Sequence, residues 1–344
     1  MKLAITMGDP AGIGPEIILK ALEKMTGPDT PELIVFGCAG ALDEAGRALG
    51  LPVPPRITPD EIASHEGHGV VGIDPDIDTP QVGIVSAAAG RFAFRAIEVA
   101  VDLALAGAVD GIVTAPLNKE ALNLAGHAYS GHTDMLADLT GSADTVMMLA
   151  HGNFRVTHLT THVALEDVPR LLTPERLNRV IDLTHSALKQ LGLSVPRIAV
   201  AALNPHAGEG GIFGKEDIEI SVPVIREWAA RGLRIEGPVP GDTVFVKLRS
   251  GSYDAVIAMY HDQGHIPVKL LGFRTNPETG AWEALNGVNV TLGLPIIRTS
   301  VDHGTAFDIA GQGIASADSM IEAIDYAIAL SEAQKRGRSA AWTP

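Results

Sequence analysis

The chain has 344 residues, of which 46% are hydrophobic and 19% charged, and 26 basic against 41 acidic residues give a formal net charge of −15. This balance argues against nucleic acid or an anionic membrane as the main partner, because both require a basic surface. The length favours two domains, or one large α/β unit with a cleft.

Short β-branched runs alternate with amphipathic stretches along the chain, which predicts an α/β protein with a largely parallel sheet. The predicted strands cover residues 3–7, 33–36, 111–115, 145–150, 154–159, 197–202, 255–259, 288–292 and 296–300. The predicted helices cover residues 15–25, 86–106, 134–139, 174–191, 215–230 and 316–333. Turn-forming pairs within residues 275–282 predict a surface loop.

We place the boundary between two α/β domains near residue 128, where a stretch rich in glycine and histidine begins. The first predicted domain contains residues 1–127 and 300–344. The second contains residues 128–299 and carries most of the candidate metal and substrate residues.

The cellular setting is predicted from cysteine and apolar content. Cys38 is the only cysteine, so no internal disulfide can form and a reducing compartment is indicated. Residues 1–7 lack the long apolar stretch of a secretory signal, and no apolar run is long enough to span a bilayer. We therefore expect a cytoplasmic protein without a membrane partner.

Three histidines, His162, His206 and His261, each follow a predicted strand, and His206 and His261 lie beside glycine- or proline-rich sequence. In open α/β sheets the ligand crevice lies outside the carboxyl ends of the strands, so these rings are candidates to converge on one divalent metal ion. Three protein ligands with one exchangeable position are typical of catalytic zinc. The alternative for each histidine is a loop cap or a position in a polar core.

Two groups of polar residues indicate an anion site. A short predicted helix begins near His132 and Thr133, and the free N–H groups of a helix N-terminus suit phosphate or carboxylate. The alternative is a threonine N-cap without a ligand. Lys269, Asn289 and Arg298 stand alone in apolar sequence, where a bound anion, a structural salt bridge or a snorkelling stem would explain them.

Two glycine-rich segments are candidates for nucleotide binding. Near the C-terminus, Gly304 and Gly311 let the backbone approach a ligand closely, and Asp308 can accept from ribose hydroxyls; the alternative is a glycine-rich helix connection. The N-terminal segment over residues 8–16 contains no G-x-G-x-x-G and is interrupted by prolines. We therefore reject a Rossmann fingerprint there.

Seven segments between residues 7 and 311 carry a resemblance: MGDPAGIGPEI, TAPLNK, GHTD, LNPHAGEGG, MYHDQG, VNVTLGLP and RTSVDHGTAFDIAG. The first and last resemble stretches of the isocitrate/isopropylmalate dehydrogenase fold. Together the seven resemble the 4-hydroxythreonine-4-phosphate dehydrogenase family of vitamin B6 biosynthesis. The resemblance implies two α/β domains with an active-site cleft between them. It also implies a homodimer whose shared active site takes its last metal histidine from the partner chain.

The resemblance also implies residue roles. The implied metal ligands are His162, His206 and His261; the substrate contacts are His132, Thr133, Lys269, Asn289 and Arg298; the cofactor loop includes His303, Gly304, Asp308 and Gly311. The expected cofactors are NAD or NADP and one divalent ion, which is zinc, cobalt, magnesium or manganese. Lys269, as proton donor or acceptor, and His206 are the expected catalytic residues.

The implied reaction is metal-dependent, NAD(P)-linked oxidation of 4-phosphohydroxy-L-threonine, an oxidation at a CH–OH group. Its β-keto acid product decarboxylates to 3-amino-2-oxopropyl phosphate in pyridoxal phosphate biosynthesis. Two departures from the family pattern, His265 after H-D-Q-G and a longer segment over residues 272–287, resemble other relatives. Those relatives oxidise D-threonate or D-erythronate 4-phosphate in sugar-acid catabolism, or a dihydrodiol dicarboxylate.

Two other function classes compete with the dehydrogenase. Three histidines and a phosphate pocket would serve a metal-dependent phosphatase equally well. A phosphatase has no use for the nucleotide-type loop near the C-terminus, so nicotinamide binding discriminates between them. A non-catalytic binding protein would bind the ligand without turnover under any metal.

Overall fold

The computed structural model describes residues 1–27, 30–74, 76–275, 277–278 and 282–340, and it confirms the predicted α/β class. The strands are β1 (Lys2–Thr6), β2 (Glu32–Gly37), β3 (Gly69–Gly72), β4 (Gly111–Thr114), β5 (Val146–His151), β6 (Phe154–His158), β7 (Arg197–Ala201), β8 (Arg234–Val239), β9 (Ala255–Ala258), β10 (Phe273–Thr275), β11 (Trp282–Leu285), β12 (Val288–Leu292) and β13 (Arg298–Val301). The loop predicted over residues 275–282 lies partly outside the described residues.

The helices alternate with these strands. They are α1 (Gly14–Lys24), α2 (Ala39–Leu49), α3 (Ala87–Leu105), α4 (Lys119–Leu124), α5 (His132–Leu139), α6 (Val168–Leu171), α7 (Pro174–Gln190), α8 (Val222–Ala230), α9 (Gly241–Arg249), α10 (His261–Gly272) and α11 (Asp318–Ala340). Within the described ranges, none of them combines the length and apolar character needed to cross a membrane.

The chain divides into two compact units. The first contains Met1–Thr145, Ala284–Val288 and Leu294–Ser331, and the second contains Val146–Glu283, Asn289–Gly293 and Glu332–Pro344. The first unit extends beyond residue 127, where the first predicted domain ends, because α5 packs against α3. The chain also re-enters the first unit before residue 300, in the segments that begin at residues 284 and 294.

The first unit contains a parallel sheet in the order β3-β2-β1-β4-β13. Strands β4 and β13 are buried along their whole length, as expected where helices cover both faces of a parallel sheet. Thr114 at the end of β4 is in register with Thr6 of β1 and Ser300 of β13. The loops that follow these strands therefore begin at one edge of the sheet, where ligands bind in such folds.

The second unit has the strand order β12-β5-β6-β9-β7-β8. Strands β5 and β6 pair antiparallel, whereas β6 with β9, β9 with β7, and β7 with β8 pair in parallel. Leu149, Val156, Ala199 and Val256 belong to the core that these strands bury. Because β6, β9 and β7 lie side by side, the residues that follow them share one edge of this sheet.

Two helices of the second unit differ from the sequence-based prediction. His261, expected only to follow a strand, is the first residue of α10, which continues through Pro267 because Val268 is buried in the core. The helix predicted over residues 215–230 contains a π-helical turn over Asp217–Ser221, and α8 follows it. Both differences bear on how the candidate histidines are held.

The loop between β1 and α1 packs backbone against backbone on two later loops of the first unit. Asp9 N–H donates to the Pro116 carbonyl at 2.9 Å, and Ile13 N–H donates to the Thr305 carbonyl at 3.0 Å. A Cβ at Gly8 would lie 2.1 Å from the Pro116 carbonyl oxygen, so no larger residue fits there. Glycine at this position therefore serves close packing within the protein.

Asp9 in this loop is fully buried. Burial raises the pKa of its carboxyl from 3.8 to about 6, and a hydrogen bond from Ala11 N–H opposes that shift. The folded protein keeps this proton to a higher pH than the unfolded chain, so stability falls as pH rises from about 4 to about 6. Above that range the buried charge costs up to about 3 kcal/mol.

Asp9→Asn is therefore expected to raise the free energy of unfolding by about 1–3 kcal/mol near pH 8 and to change it little near pH 4. The asparagine Oδ1 can still accept the hydrogen bond from Ala11. Thermal unfolding at both pH values measures the effect, and substitution of the exposed Asp60 by asparagine is the matched control. A gain of equal size at both pH values would contradict the assignment.

Candidate functional site

The first unit contains a cavity of about 130 Å³ at the carboxyl ends of β4 and β13. The last residues of both strands, the residues that follow them and the start of α5 form its wall: Thr114, Ala115, Pro116, Leu117, Lys119, Gly131, His132, Ser300, Val301 and His303. The cavity lies where a parallel sheet presents its ligand crevice. The structure thus brings the predicted substrate residue His132 together with His303, which the sequence analysis assigns to the cofactor loop.

His132 is the first residue of α5, and its ring is affected by the positive charge of Arg298. Its Nε2 is buried and has no hydrogen-bond partner among the described residues. Burial, and then the charge of Arg298, hold the pKa of His132 well below 6.5, so the imidazole is neutral at physiological pH. Gly131 is the N-cap of α5, so Thr133 lies in the first turn and does not cap the helix.

Arg298, the first residue of β13, is 2% exposed. Its Nη2 donates a hydrogen bond of 2.7 Å to the hydroxyl of Thr114, which lines the cavity. Burial lowers the pKa of Arg298 to about 9, and the guanidinium remains a cation at neutral pH. The exposed Lys119 places a positive charge on the wall itself, whereas Arg298 contacts the wall through Thr114. This arrangement suits a phosphate or carboxylate group.

The second unit places the three candidate metal histidines after three neighbouring parallel strands, as predicted: His162 after β6, His261 after β9 and His206 after β7. The rings of His162 and His261 are 5.7 Å apart at their centroids, and both line a cavity of about 420 Å³. Asp262 Oδ1 contacts His261 Nδ1 at 2.7 Å. Such a carboxylate orients a histidine ring. Asp262 is not among the site residues predicted from the sequence.

Two further histidines continue this cluster into the core. The His265 ring stacks on His261 at 3.6 Å, and the His158 ring lies 4.7 Å from His265. Burial lowers the pKa of His158 to about 3 and that of His265 to about 4, so both are neutral at physiological pH. The sequence pattern distinguishes His265 only as a departure from the family pattern and gives no role for His158.

His206 lies in a loop with unusual backbone geometry. It adopts φ 53° and ψ 30°, and the left-handed conformation continues through Ala207, Gly208, Glu209 and Gly210. The ring of His206 lies 6.4 Å from that of Phe213. A left-handed run that includes residues other than glycine is costly and must be held in place by its surroundings.

The three histidines do not form a metal site by themselves in the described part of one chain. No group of three histidine, cysteine, aspartate or glutamate side chains there could hold a metal ion. His162 and His261 supply two imidazoles, a suitable donor type for zinc, but His206 is not grouped with them. The resemblance takes one of the three histidines from a partner chain, so the three-histidine centre stays a prediction.

Lys269 and Asn289 also lie in the second unit. Lys269 is half-buried near the end of α10, with Nζ 5.3 Å from the ring centroid of Phe273, so it is not a fully buried cation. Asn289 lies in β12, and its buried Oδ1 has no hydrogen-bond partner among the described residues. Their roles as substrate contacts stay predictions.

The candidate cofactor loop, residues 303–313, belongs to the first unit. Apart from the two neighbouring residues in the chain, no described residue has an atom within 4 Å of the position that a Cβ on Gly304 would occupy, so a ligand can approach the backbone there. Gly311 has φ 78° and is exposed, as is Asp308. These features fit a nucleotide that lies against the loop, with the Asp308 carboxylate available to hydroxyl groups.

Comparison with known proteins gives consistent matches over almost the whole chain. The family model described as Pyridoxal phosphate biosynthetic protein PdxA matches residues 29–327. A Bradyrhizobium diazoefficiens protein named "Putative D-threonate 4-phosphate dehydrogenase" is 59% identical over 341 residues, which is 98% of this chain and 99% of that protein. The D-threonate 4-phosphate dehydrogenase of Salmonella typhimurium is 48% identical, over 95% of this chain and 98% of its own. The crystal structure of 4-hydroxythreonine-4-phosphate dehydrogenase from Klebsiella pneumoniae has a TM-score of 0.79 and 46% identity, and covers 96% of this chain and 98% of that one.

Proposed function

The chain belongs to the PdxA family of pyridoxal phosphate biosynthetic proteins, and from this we propose that it is an NAD(P)-linked dehydrogenase of D-threonate 4-phosphate. The enzyme class predicted from the sequence, an oxidoreductase acting on a CH–OH group, agrees with relatives that are named dehydrogenases. The cationic cavity of the first unit carries the proposal, because it suits the anionic groups of a small phosphorylated hydroxy acid.

The choice of substrate within the family rests on two observations. The relative with 59% identity and the Salmonella relative with 48% identity are both named for D-threonate 4-phosphate. His265, which stacks on His261, is one of the two departures from the family pattern that resemble relatives acting on D-threonate or D-erythronate 4-phosphate. The second candidate is 4-phosphohydroxy-L-threonine, which the name of the Klebsiella structure favours.

The residues of the first unit bind and orient the substrate in this proposal. Arg298 offers its guanidinium to a phosphate or carboxylate, since planar N–H pairs match the oxygens of such groups. His132, held neutral, donates one hydrogen bond without bringing a second full charge. Asp308 and the backbone at Gly304 face the nucleotide. The nicotinamide, when bound, accepts the hydride from the substrate carbon.

The second unit supplies the proton acceptor and the candidate metal ligands in this proposal. Lys269 is the candidate acceptor of the hydroxyl proton, so that the alcohol becomes a ketone as the hydride leaves. Oxidation at the carbon β to the carboxylate gives a β-keto acid, which then loses CO2. A divalent ion belongs to the proposal only together with a homodimer, because the resemblance places its third histidine on a second copy of the chain.

The decisive test is reduction of NAD or NADP by the purified protein. D-threonate 4-phosphate, D-erythronate 4-phosphate and 4-phosphohydroxy-L-threonine are offered separately, with zinc, cobalt, magnesium or manganese and with a chelator. We expect turnover of D-threonate 4-phosphate to exceed that of the amino acid at least tenfold, and His206→Ala to lose it.

Each other outcome contradicts a different part of the proposal. Preference for 4-phosphohydroxy-L-threonine would assign the enzyme to vitamin B6 synthesis. Equal turnover rates with a chelator and with added metal would show that the reaction needs no divalent ion. Release of inorganic phosphate without reduction of a nicotinamide would favour the phosphatase, and binding without any turnover would favour a non-catalytic protein.

A further inference from the structure

The N-terminal part of the first unit holds the backbone of the candidate cofactor loop, residues 303–313. Glu16, in the first turn of α1 and 3% exposed, accepts a hydrogen bond from Gly311 N–H through Oε1. Just before the helix, Ile13 N–H donates to the Thr305 carbonyl at 3.0 Å. Two points of the cofactor loop are therefore fixed by hydrogen bonds to its main chain.

Lys20 extends this attachment past the end of the loop. It lies one helical turn after Glu16, on the same face of α1. Its Nζ donates to the carbonyl of Gly313 at 2.8 Å and to that of Ala315 at 2.6 Å. Hydrogen bonds in which one partner is charged are shorter and stronger than neutral ones. Glu16 and Lys20, on one helix, thus hold one N–H and two carbonyl groups of the same segment.

The loop before α1 also packs tightly on the cofactor loop. A Cβ on Gly12 would lie 2.8 Å from the carbonyl oxygen of Thr305 and 3.3 Å from the Phe307 ring. Any larger residue at this position would displace the backbone of the cofactor loop. The N-terminal glycine-rich segment, which has no dinucleotide fingerprint, thus packs directly on the loop that is predicted to bind one.

We propose that Glu16 and Lys20 are positioning residues for the nicotinamide cofactor, acting through the backbone of residues 303–313 without touching the cofactor. The proposal rests on the proposed function, since it assigns that loop to NAD(P). Loss of either side chain leaves the loop free to sample other conformations. Cofactor affinity then falls, because ordering the loop becomes part of the free energy of binding.

The experiment compares Glu16→Ala, Glu16→Gln and Lys20→Met with Lys24→Met in the full-length protein. Lys24 is the matched control, since it lies one turn further along α1 and contacts Asp318 at 3.4 Å, where both side chains are more than half exposed. An exposed pair of this kind contributes little to stability. Amide hydrogen exchange of residues 303–315 without cofactor, KM for NAD(P) and kcat are measured for each variant.

We expect Glu16→Ala and Lys20→Met to raise the KM for NAD(P) about tenfold, with kcat at saturating cofactor within about twofold of wild type. Exchange at Gly311 is expected to accelerate in Glu16→Ala. In Glu16→Gln, the KM for NAD(P) and the exchange rate at Gly311 should stay within about threefold of wild type, because the amide oxygen can still accept from Gly311 N–H. Lys24→Met should match wild type throughout.

Two results would overturn the inference. One is the same exchange and the same KM in Glu16→Ala and Lys24→Met. The other is an equal loss of activity in Glu16→Ala and Glu16→Gln, with a lower kcat and an unchanged KM. That result would indicate general damage to the folded enzyme. Failure of the wild type to reduce any nicotinamide would instead refute the proposed function and the cofactor part of this inference. The exchange measurement would still decide whether Glu16 fixes the loop.

Discussion

Replacement of Arg298 by methionine is expected to lower kcat/KM for the phosphorylated substrate by about a hundredfold to a thousandfold. The buried guanidinium lies next to a small cavity, and removal of one partner from a buried, hydrogen-bonded charge pair typically costs about 2–5 kcal/mol. Arg298→Lys keeps the charge but not the planar arrangement of donors. It should therefore lose at least about tenfold. Steady-state kinetics with D-threonate 4-phosphate measures both.

The stability of the same variant separates loss of binding from loss of fold. Burial lowers the pKa of Arg298 to about 9, which means that the folded protein destabilises the charged form at neutral pH. Methionine removes this cost together with the hydrogen bond to Thr114. We therefore expect the thermal midpoint of Arg298→Met to stay near that of the wild type or to rise.

Arg155→Met is the matched control for Arg298. Arg155 is also an arginine of a buried strand, 9% exposed, but it lies in β6 of the second unit, where it donates to Asn153. Its loss is expected to change kcat/KM less than about threefold. If both variants lost activity to the same degree, or if Arg298→Met kept it, the cavity of the first unit would not be the anion site.

The sheet and the location of the candidate residues could be predicted because buried parallel strands read as continuous apolar runs. Residues 111–115 and 255–259 are such runs, and both form strands close to the predicted limits. Once those strands are placed, the residues after them are placed as well. This is why His162, His206 and His261 could be assigned to strand ends before any side-chain position was known.

Elements whose local sequence disagrees with their final structure could not be predicted. Helix α10 contains Gly264 and Pro267, which both disfavour helix interiors, yet it forms because its buried face packs in the core. Strand β3 has only the four residues Gly69–Gly72 and is identified by its pairing with β2. Tertiary packing overrides local preference in both cases.

The contacts within the candidate site were also outside the reach of sequence patterns. The four-residue spacing of His261 and His265 brings their rings together only because both lie on α10, a helix that the sequence pattern did not predict. His303 and His132 are far apart in the chain, and their shared cavity depends on the fold and on side-chain directions. Likewise, the sequence marked residues 8–16 as unusual and excluded one function for them, but only the contacts of Glu16 indicate another.

Substitution of Asp217 by asparagine is expected to destabilise the protein by about 3 kcal/mol or more and to lower turnover at least about tenfold. The fully buried Asp217 accepts from Leu203 N–H through Oδ1 at 2.8 Å. Through Oδ2 it accepts from the backbone and the side-chain amide of Asn204, at 2.8 and 3.1 Å. These donors lie two and three residues before His206, so Asp217 holds the segment that leads into the left-handed loop.

Asparagine is a severe replacement here because every group that faces Asp217 is a donor. One oxygen would become an NH2 group pointing at an N–H, which leaves two buried donors unpaired. The loop also includes three residues other than glycine, His206, Ala207 and Glu209, with positive φ. At about 1–2 kcal/mol each, their backbone cost is comparable to the support that Asp217 supplies. The left-handed run should therefore not survive the substitution.

Glu216→Gln is the matched control, because Glu216 accepts from the same Asn204 side chain at 2.8 Å and a glutamine oxygen can do so as well. It should cost less than about 1 kcal/mol. Thermal unfolding, limited proteolysis between residues 203 and 214, and binding of zinc to the unsubstituted and substituted proteins are the measurements. If limited proteolysis and zinc binding were the same in Asp217→Asn as in the wild type, the His206 loop would keep its conformation without this carboxylate. The positioning of His206 would then have to come from the backbone of the loop itself.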